Sequence, residues 1–362
     1  MLRLAFLKWA DHKTDLIMKL NSIKTIVTCL SYFVIWQLGV GCNDSVDDMK
    51  ATGNDIGEAA QNSADPLPSW NDGDVKRSTI NFVTRVTDSS SSDFIPVDDR
   101  IATFDNDGTL WAERPYVQQL FAFYQVKKMV EKDPGLANEQ PFKAVVENDK
   151  AYFAKGGEKA LLHVVAATHT GMTEDDFESC VKDFFSTATY PPRNLPVAQI
   201  IYQPQIELLN YLRANGFKTF ICTGGTVEFV RSISQQLYDI PKEQVIGTTF
   251  KYRFVDSTLS IMRDPHVELF NDKEGKPVSI QEHIGRRPVF ACGNEGGEGD
   301  IAMLRYSQGN KYPSFQMIIS HDDSTREFYY QEKTNASLNA AAKYNWHVVS
   351  MKNDWKTVFS NK

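Results

Sequence analysis

The chain has 362 residues and a formal net charge of -7, with 42% hydrophobic and 23% charged residues. This length allows two modest domains or one domain with a large insertion. The acidic balance, without any run of lysine or arginine that would form a basic face, argues against a protein that binds nucleic acid or another polyanion.

The first forty residues have the pattern of an export signal. Met18-Lys19 and Lys24 form a basic region, and residues 25–41 form an apolar run shorter than the roughly 20 residues of a membrane-spanning helix. Small residues and then Cys42 follow. We therefore predict a signal peptide over residues 1–42 that resembles a bacterial lipoprotein signal, with a lipid on Cys42 that anchors the exported protein in the cell envelope or periplasm. The alternatives are a simple cleaved signal and an uncleaved anchor.

The segment 43–75 is rich in Asp, Asn, Ser and Gly and contains few large apolar residues. Such a composition does not bury enough apolar surface to offset the entropy lost on ordering. We predict a flexible tether between the signal peptide and the folded part of the chain.

Four short apolar runs, each ending in Gly, Asp, Asn or Ser, have the pattern of buried strands. They are Ile101–Phe104, Lys218–Cys222, Val289–Cys292 and Phe315–Ile319. Helical patterns alternate with them, such as the one over Gln205–Ala214. This alternation predicts an α/β fold, with a Rossmann-like parallel sheet core formed by residues 76–111 and 201–362.

Residues 112–200 separate the first two predicted strands and have helical spacing. One apolar stripe consists of Val117, Leu120, Phe121 and Tyr124. Thr173, with Asp176 three residues later, has the pattern of a helix N-cap. An insertion of this length exceeds an ordinary connection and is typical of a lid or a module that contacts substrate. We predict a helical cap domain.

Polar residues follow three of the predicted strands. They are Asp105 and Asp107, then Thr223-Gly224-Gly225, then Gly293-Asn294-Glu295. Since ligands bind outside the carboxyl ends of parallel strands, we expect these residues to converge. The pair Asp105 and Asp107 does not begin a calcium loop, because Leu110 stands where that loop needs Gly and Tyr116 where it needs Glu.

Four motifs resemble those of the haloacid dehalogenase-like hydrolases, most of whose members are magnesium-dependent phosphatases. FDNDGTLW at 104–111 matches the first motif, D-x-D-G-T, and FICTGG at 220–225 resembles the second, a strand ending in Thr or Ser. Lys276 in GKPVSI fits the third, for which Lys251 and Lys273 are alternatives. ACGNEGGEGDIAML at 291–304 resembles the fourth, a loop of the G-D-x-x-x-D type. The resemblance extends from about residue 81 to the C-terminus.

The resemblance implies a chemistry that also explains the residue types. Asp105 would attack phosphorus and form an aspartyl-phosphate, and Asp107 would first donate and then accept a proton. Lys276 would supply positive charge, and Thr223 a hydroxyl for the phosphate oxygens. The phosphate would also lie against glycines that permit close approach of the backbone, namely Gly108, Gly224 and Gly225. The helix that starts near Thr226 would present free N–H groups to it.

The resemblance also implies a Mg²⁺ ion, held by Asp105, Asp107 and Asn294. Asn294 stands where the family has an aspartate, and an amide oxygen is still a suitable hard ligand. The loop that follows is about two residues longer than usual and contains Glu295 and Glu298, either of which could complete the metal site. Asp300 would brace this loop or Lys276.

Two further segments each allow two interpretations. Trp111, Glu113 and Arg114 could contact substrate or form a packed hinge where the chain enters the predicted cap. His321-Asp322-Asp323 could border the pocket or form a capped turn.

The sequence therefore predicts a Mg²⁺-dependent phosphomonoester hydrolase acting on a small phosphorylated metabolite. One alternative is a catalytically weak binding protein of the cell envelope that captures phosphate ligands, which the presence of Asn294 favours. The other is a carbon-halide hydrolase, against which Asp107 argues because a departing halide needs no proton.

Overall fold

The computed structural model describes residues 65–296 and 298–360, all of which belong to one compact unit. The predicted signal peptide, its Cys42 and residues 43–64 of the predicted tether lie outside this described part. Within it, no helix is both long and apolar enough to cross a lipid bilayer.

The strands are β1 (Ile101–Phe104), β2 (Thr189–Tyr190), β3 (Leu195–Pro196), β4 (Lys218–Thr226), β5 (Val245–Val255), β6 (Ser260–Leu269), β7 (Phe290–Asn294), β8 (Phe315–Ser320) and β9 (His347–Ser350). Seven of them form one sheet in the order β6-β5-β4-β1-β7-β8-β9, while β2 and β3 pair separately. Within the large sheet, only β5 and β6 are antiparallel to each other. The predicted α/β fold with a Rossmann-like parallel sheet is confirmed, including its four predicted strands.

The helices are α1 (Asp74–Thr87), α2 (Val117–Lys132), α3 (Phe142–Val146), α4 (Lys150–His169), α5 (Glu174–Thr187), α6 (Gln203–Ala214), α7 (Val227–Tyr238), α8 (Gly275–Ile284), α9 (Ile301–Gln308), α10 (Ala336–Tyr344) and α11 (Met351–Asp354). Local signals explain several of their ends. The Thr173 hydroxyl accepts from the Asp176 N–H at 3.2 Å and caps α5 as predicted. Gly216 adopts a φ of +78°, which lets the chain reverse after α6.

The central strand β1 lies between β4 and β7, and this arrangement positions the site. Phe104, the last residue of β1, pairs with Ile221 of β4 on one side and with Cys292 of β7 on the other, so the residues that follow these three lie at the same level. The Asp105 N–H continues the pairing by donating to the Cys292 carbonyl at 2.9 Å. The polar residues that follow these strands therefore meet at one edge of the sheet.

Helices α2 to α5 lie between β1 and β4 in the sequence and are held to the core by an aromatic cluster. Phe121 of α2 contacts Phe177 and Phe184 of α5, with ring centroids 5.6 and 5.5 Å apart. It also contacts Phe229 of α7 at 5.1 Å. The helical spacing of residues 117–124 thus corresponds to a helix whose buried face packs on both α5 and the core helix α7.

We predicted from composition that residues 65–75 belong to the flexible tether. In the structure they instead pack against the folded part of the chain. Leu67 is fully buried, and only 2% of the Trp70 surface is exposed. The Trp70 indole donates to the Pro204 carbonyl at 3.0 Å, and its ring meets Trp355 edge-to-face at 6.2 Å. Two large apolar side chains are enough to dock this otherwise polar stretch, because α6 and the C-terminal segment offer them a buried surface.

We expect Trp70→Ala to lower the free energy of unfolding by about 3–5 kcal/mol, because it removes a buried aromatic side chain and its hydrogen bond. Urea denaturation measures the effect. Val97→Ala is the control, since that side chain is 54% exposed and its loss should change stability by less than about 0.5 kcal/mol. A Trp70→Ala variant as stable as this control would show that residues 65–75 do not belong to the folded unit.

Candidate active site

A cavity of about 360 Å³ lies at the carboxyl ends of β1, β4 and β7. Seven of the residues predicted from the motifs line it: Asp105, Asp107, Gly224, Gly225, Lys276, Asn294 and Asp300. Leu161 and Val165 of α4 also line it. The inserted helices therefore form part of the same cavity as the strand ends.

A buried ion triad forms the floor of the cavity. The Lys276 Nζ lies 2.6 Å from Oδ1 of Asp105 and 2.6 Å from Oδ1 of Asp300. The exposed fractions of the three residues are 2% for Lys276, 7% for Asp105 and 3% for Asp300. Although burial alone would lower the pKa of Lys276, these two carboxylates raise it above its ordinary value. Lys276 therefore carries its charge at neutral pH.

The structure also separates Lys276 from the two alternative lysines. Lys273 is half-exposed, and its Nζ lies 3.7 Å from Oε2 of Glu298. Lys251 is exposed on β5. Neither lines the cavity.

The two aspartates of the first motif both have raised pKa values. Burial, and then the Asp300 carboxylate, raise the pKa of Asp105 well above its ordinary value. Burial also raises the pKa of Asp107, although the Trp111 indole donates to its Oδ1 at 2.9 Å. The carboxylates of Asp105, Asp107 and Asp300 thus have one ammonium between them, so the site lacks positive charge.

The turn after β1 requires glycine at position 108. Gly108 has a φ of +74°, and a Cβ placed there would lie 2.0 Å from Nδ2 of Asn294. Its N–H donates to the Trp111 carbonyl at 2.9 Å, while its own carbonyl lies 2.8 Å from Nε2 of His321. Gly108 therefore allows the first and fourth motifs to approach each other closely.

The second motif differs in one respect from the prediction that α7 starts with free N–H groups. The Gly225 N–H donates to the Thr223 hydroxyl at 3.0 Å, and the Thr226 N–H donates to Oε1 of Gln118 at 3.0 Å. The prediction is wrong for these two groups, because the Thr223 hydroxyl occupies the first and a glutamine of α2 reaches across from the inserted helices to the second. Thr223 itself is fully buried beneath the turn, whereas Gly224 and Gly225 line the cavity.

Of the candidate metal ligands in the fourth motif, Asn294 lines the cavity, whereas Glu295 and Glu298 do not. The Asn294 N–H donates to Oδ2 of Asp300 at 3.0 Å, the bracing contact expected of that aspartate. Glu295 is buried behind the cavity, where its Oε2 accepts from the Ser320 hydroxyl at 3.0 Å. Glu298 faces Lys273 and the Thr334 hydroxyl, the latter at 3.2 Å. Neither glutamate lines the cavity, so Asn294 is the better placed candidate for a metal ligand.

Glu113 lines the cavity, and burial raises its pKa to about 7. The Asn294 Nδ2 lies 3.4 Å from its Oε1. Trp111 is instead fully buried and stacks on Phe185 at 5.8 Å. Each of the two interpretations of this segment therefore applies to a different residue: Glu113 faces the cavity, and Trp111 packs the entry into the inserted helices.

The segment after β8 supports the first-motif turn from behind. His321 is fully buried, stacks on Tyr330 at 4.1 Å and contacts Glu327 through Nδ1 at 3.4 Å. Asp323 caps the following turn by accepting from the Thr325 and Arg326 N–H groups at 3.0 and 2.9 Å. No local sequence pattern indicates the contact between His321 and Gly108, because the two residues are 213 positions apart.

The donor atoms at the cavity are of the type that Mg²⁺ prefers. The carboxylates of Asp105 and Asp107 and the amide of Asn294 all line it, and hard oxygen ligands suit this ion. The Asn294 oxygen accepts no hydrogen bond from the residues described here, and its nitrogen faces Glu113 and Tyr330. Within 65–296 and 298–360, however, no three His, Cys, Asp or Glu side chains are grouped as a metal centre. A bound Mg²⁺ would therefore be held by the carboxylates of Asp105 and Asp107 and the amide oxygen of Asn294, with its remaining positions filled by non-protein oxygens.

The sequence matches the family model of the haloacid dehalogenase-like hydrolases over residues 102–305. This match spans more than half of the chain, so the protein belongs to that family of hydrolases. No curated protein matches the chain.

Several solved structures match this one. A conserved, functionally unknown protein from Anaerococcus prevotii DSM 20548 has 12% identity and a TM-score of 0.49, with 76% of this chain and 91% of that chain covered. A protein with unknown function from Bordetella pertussis Tohama I has 15% identity and a TM-score of 0.44, with 69% and 97% covered. A phosphoserine phosphohydrolase-like protein from Francisella tularensis subsp. tularensis SCHU S4 has 16% identity and a TM-score of 0.37, with 69% and 94% covered. These likenesses carry no information about the substrate.

Proposed function

We propose that the protein is a Mg²⁺-dependent phosphomonoesterase that acts through an aspartyl-phosphate at Asp105 on a small phosphorylated metabolite. The observation that carries this proposal is that Asp105 and Asp107 line one cavity, with Asp105 held by the buried Lys276. One aspartate would attack phosphorus while the other transfers protons.

Lys276 would orient the nucleophile. It donates to Oδ1 of Asp105 at 2.6 Å, and the other carboxylate oxygen accepts no hydrogen bond from the described residues. That oxygen is therefore the one available to attack phosphorus. The fixed ammonium also offsets negative charge that collects on the phosphate oxygens.

Asp107 would serve as the acid and then the base. The Trp111 indole fixes its Oδ1, while its Oδ2 lies 3.8 Å from the position that a Cβ on Gly225 would occupy. The second oxygen thus faces the glycine turn against which a phosphate would bind. Because burial raises the pKa of Asp107, its protonated form is more accessible for donation to a leaving oxygen.

A bound Mg²⁺, held by Asp105, Asp107 and Asn294, would supply two positive charges to the phosphate oxygens. This charge matters here because the carboxylates of Asp105, Asp107 and Asp300 have only the Lys276 ammonium between them. The phosphate would add further negative charge to the same cavity.

We expect Asn294→Ala to raise the half-saturating Mg²⁺ concentration by about tenfold or more, because it removes a protein ligand at the cavity. Glu298→Ala should change it by less than about twofold, since Glu298 faces Lys273 and Thr334. A Mg²⁺ titration of phosphate release measures both variants. Equal effects of the two substitutions would place the metal ligand elsewhere.

The broader test is phosphate release from a panel of phosphomonoesters, with Mg²⁺ present and after its removal by a chelator. A second candidate, a catalytically weak protein that captures phosphate ligands, is favoured by the neutral Asn294 in place of an acid. Wild type that releases no more phosphate than Asp105→Asn from every ester would support this candidate and contradict the enzyme. The carbon-halide hydrolase is disfavoured, because Asp107 lines the cavity and that reaction has no use for it.

We also propose that the protein is exported and carries a lipid on Cys42. Support comes from the basic region, the short apolar run and the small residues that precede this cysteine. Metabolic labelling with a radioactive fatty acid tests the proposal. Label on the wild type that is absent from Cys42→Ala is the expected result, and an unlabelled wild type would contradict lipidation.

A further inference from the structure

The charge of the cavity wall bears on which phosphate ester the site accepts. The carboxylates that line it are those of Asp105, Asp107, Glu113, Asp272 and Asp300. The ammonium of Lys276 is the only cation among the described lining residues, and it already contacts two of these acids. The wall therefore offers no cation for a second anionic group on the substrate.

Asp272 is the acid of this wall that the proposed phosphate chemistry does not use. It follows β6, and its Oδ1 lies 2.6 Å from the position of a Cβ on Gly299 and 3.8 Å from that of one on Gly224. No lysine or arginine of the described residues forms an ion pair with it, and the adjacent Lys273 faces Glu298 instead. Its negative charge at the cavity is therefore uncompensated.

Apolar and aromatic side chains border the same cavity. Phe270 lies two residues before Asp272 and lines the cavity although 65% of its surface is exposed. Tyr116 also lines it, and its exposed fraction is 37%. A carboxylate and exposed aromatic rings that line one cavity are the combination that binds an organic ammonium group, through charge attraction and cation–π contact.

We propose that the leaving group of the substrate carries a positive charge, so that the protein hydrolyses the phosphate esters of amino alcohols. Asp272 holds the ammonium, while Phe270 and Tyr116 pack on the carbon atoms bonded to it. This inference rests on the proposed function, because it requires the phosphate to lie at Asp105. A leaving group with a carboxylate or a second phosphate would lie against the Asp272 carboxylate and be repelled.

The test compares kcat/KM for phosphocholine and for 3,3-dimethylbutyl phosphate, which has nearly the same shape without the charge. We expect phosphocholine to be preferred by about tenfold or more, and 3-phosphoglycerate to be the poorest of the three. Asp272→Asn should bring the ratio of the first two esters close to one. Asp98→Asn should leave that ratio at its wild-type value, since the exposed Asp98 precedes β1 at the opposite edge of the sheet.

Equal kcat/KM values for the charged and neutral esters would overturn the inference. So would an Asp272→Asn variant that slows both esters equally, because Asp272 would then act on the metal or the fold. Calorimetric binding of the same two esters to Asp105→Asn separates this inference from the proposed function. Wild type that hydrolyses no ester contradicts the proposed function, whereas equal affinities of Asp105→Asn for the two esters contradict the charge preference.

Discussion

Asp105→Asn is expected to reduce Mg²⁺-dependent phosphate release from an aryl phosphate by at least about a thousandfold. The amide keeps the shape of the carboxylate but is too weak a nucleophile to attack phosphorus. Initial rates at saturating Mg²⁺ measure the loss. Residual activity above about a tenth of wild type would exclude Asp105 as the nucleophile.

The same variant should fold normally, which separates a chemical effect from a structural one. Asp105→Asn removes one of the two buried carboxylates that pair with Lys276, and Lys276 keeps its 2.6 Å contact with Asp300. Thermal unfolding should therefore begin at the wild-type temperature or above it, because the excess negative charge is reduced. A large drop in melting temperature would mean that the activity loss reports on folding.

Lys276→Met is expected to destabilise the protein by about 3–5 kcal/mol, because it leaves Asp105 and Asp300 buried without their counter-ion. Urea denaturation at neutral pH measures the change. Lys251→Met is the matched control, since it removes the same charge from an exposed position on β5 and should cost less than about 0.5 kcal/mol. A difference between the two variants of under about 1 kcal/mol would contradict a structural role for the triad.

Two further measurements check that charge is the cause of this loss. Lys276→Met/Asp300→Asn should recover part of the stability, because one of the unpaired carboxylates is gone, while activity stays absent. Burial raises the pKa of Asp105 above its unfolded value, so protonation favours the folded form. The deficit of Lys276→Met should therefore shrink as the pH falls from neutral and grow as it rises.

Local patterns were sufficient for much of the fold. β1, β7 and β8 are short, almost wholly buried runs bounded by polar or turn-forming residues. Such runs can be predicted as strands from the local sequence alone. The hairpin of β5 and β6 was not predicted, because residues 251–254 are exposed and mix charged with aromatic side chains. β9 was not predicted either, because only one of its four residues is buried and they do not form an apolar run.

The site could be predicted where it depends on neighbouring residues in one motif, and not where it depends on distant ones. The spacing of Asp105, Asp107 and Gly108 indicates a nucleophile, a proton carrier and a tight turn within four residues. Gln118 accepts a hydrogen bond from the Thr226 N–H. It lies on α2, and the apolar spacing of that helix indicates only which face is buried. Asp272 reaches the cavity only because the β5–β6 hairpin ends there, which no local pattern indicates.

The most direct test of the central claim is to trap the phosphorylated aspartate. Asp107→Asn with dinitrophenyl phosphate suits this experiment, because that leaving group needs no proton, whereas hydrolysis of the intermediate still needs a base. Acid quenching followed by peptide mass spectrometry should find phosphate on Asp105, and none in Asp105→Asn/Asp107→Asn. The account would be contradicted if Asp107→Asn and Asp105→Asn/Asp107→Asn released dinitrophenol at the same rate. Phosphate found on any residue other than Asp105 would also contradict it.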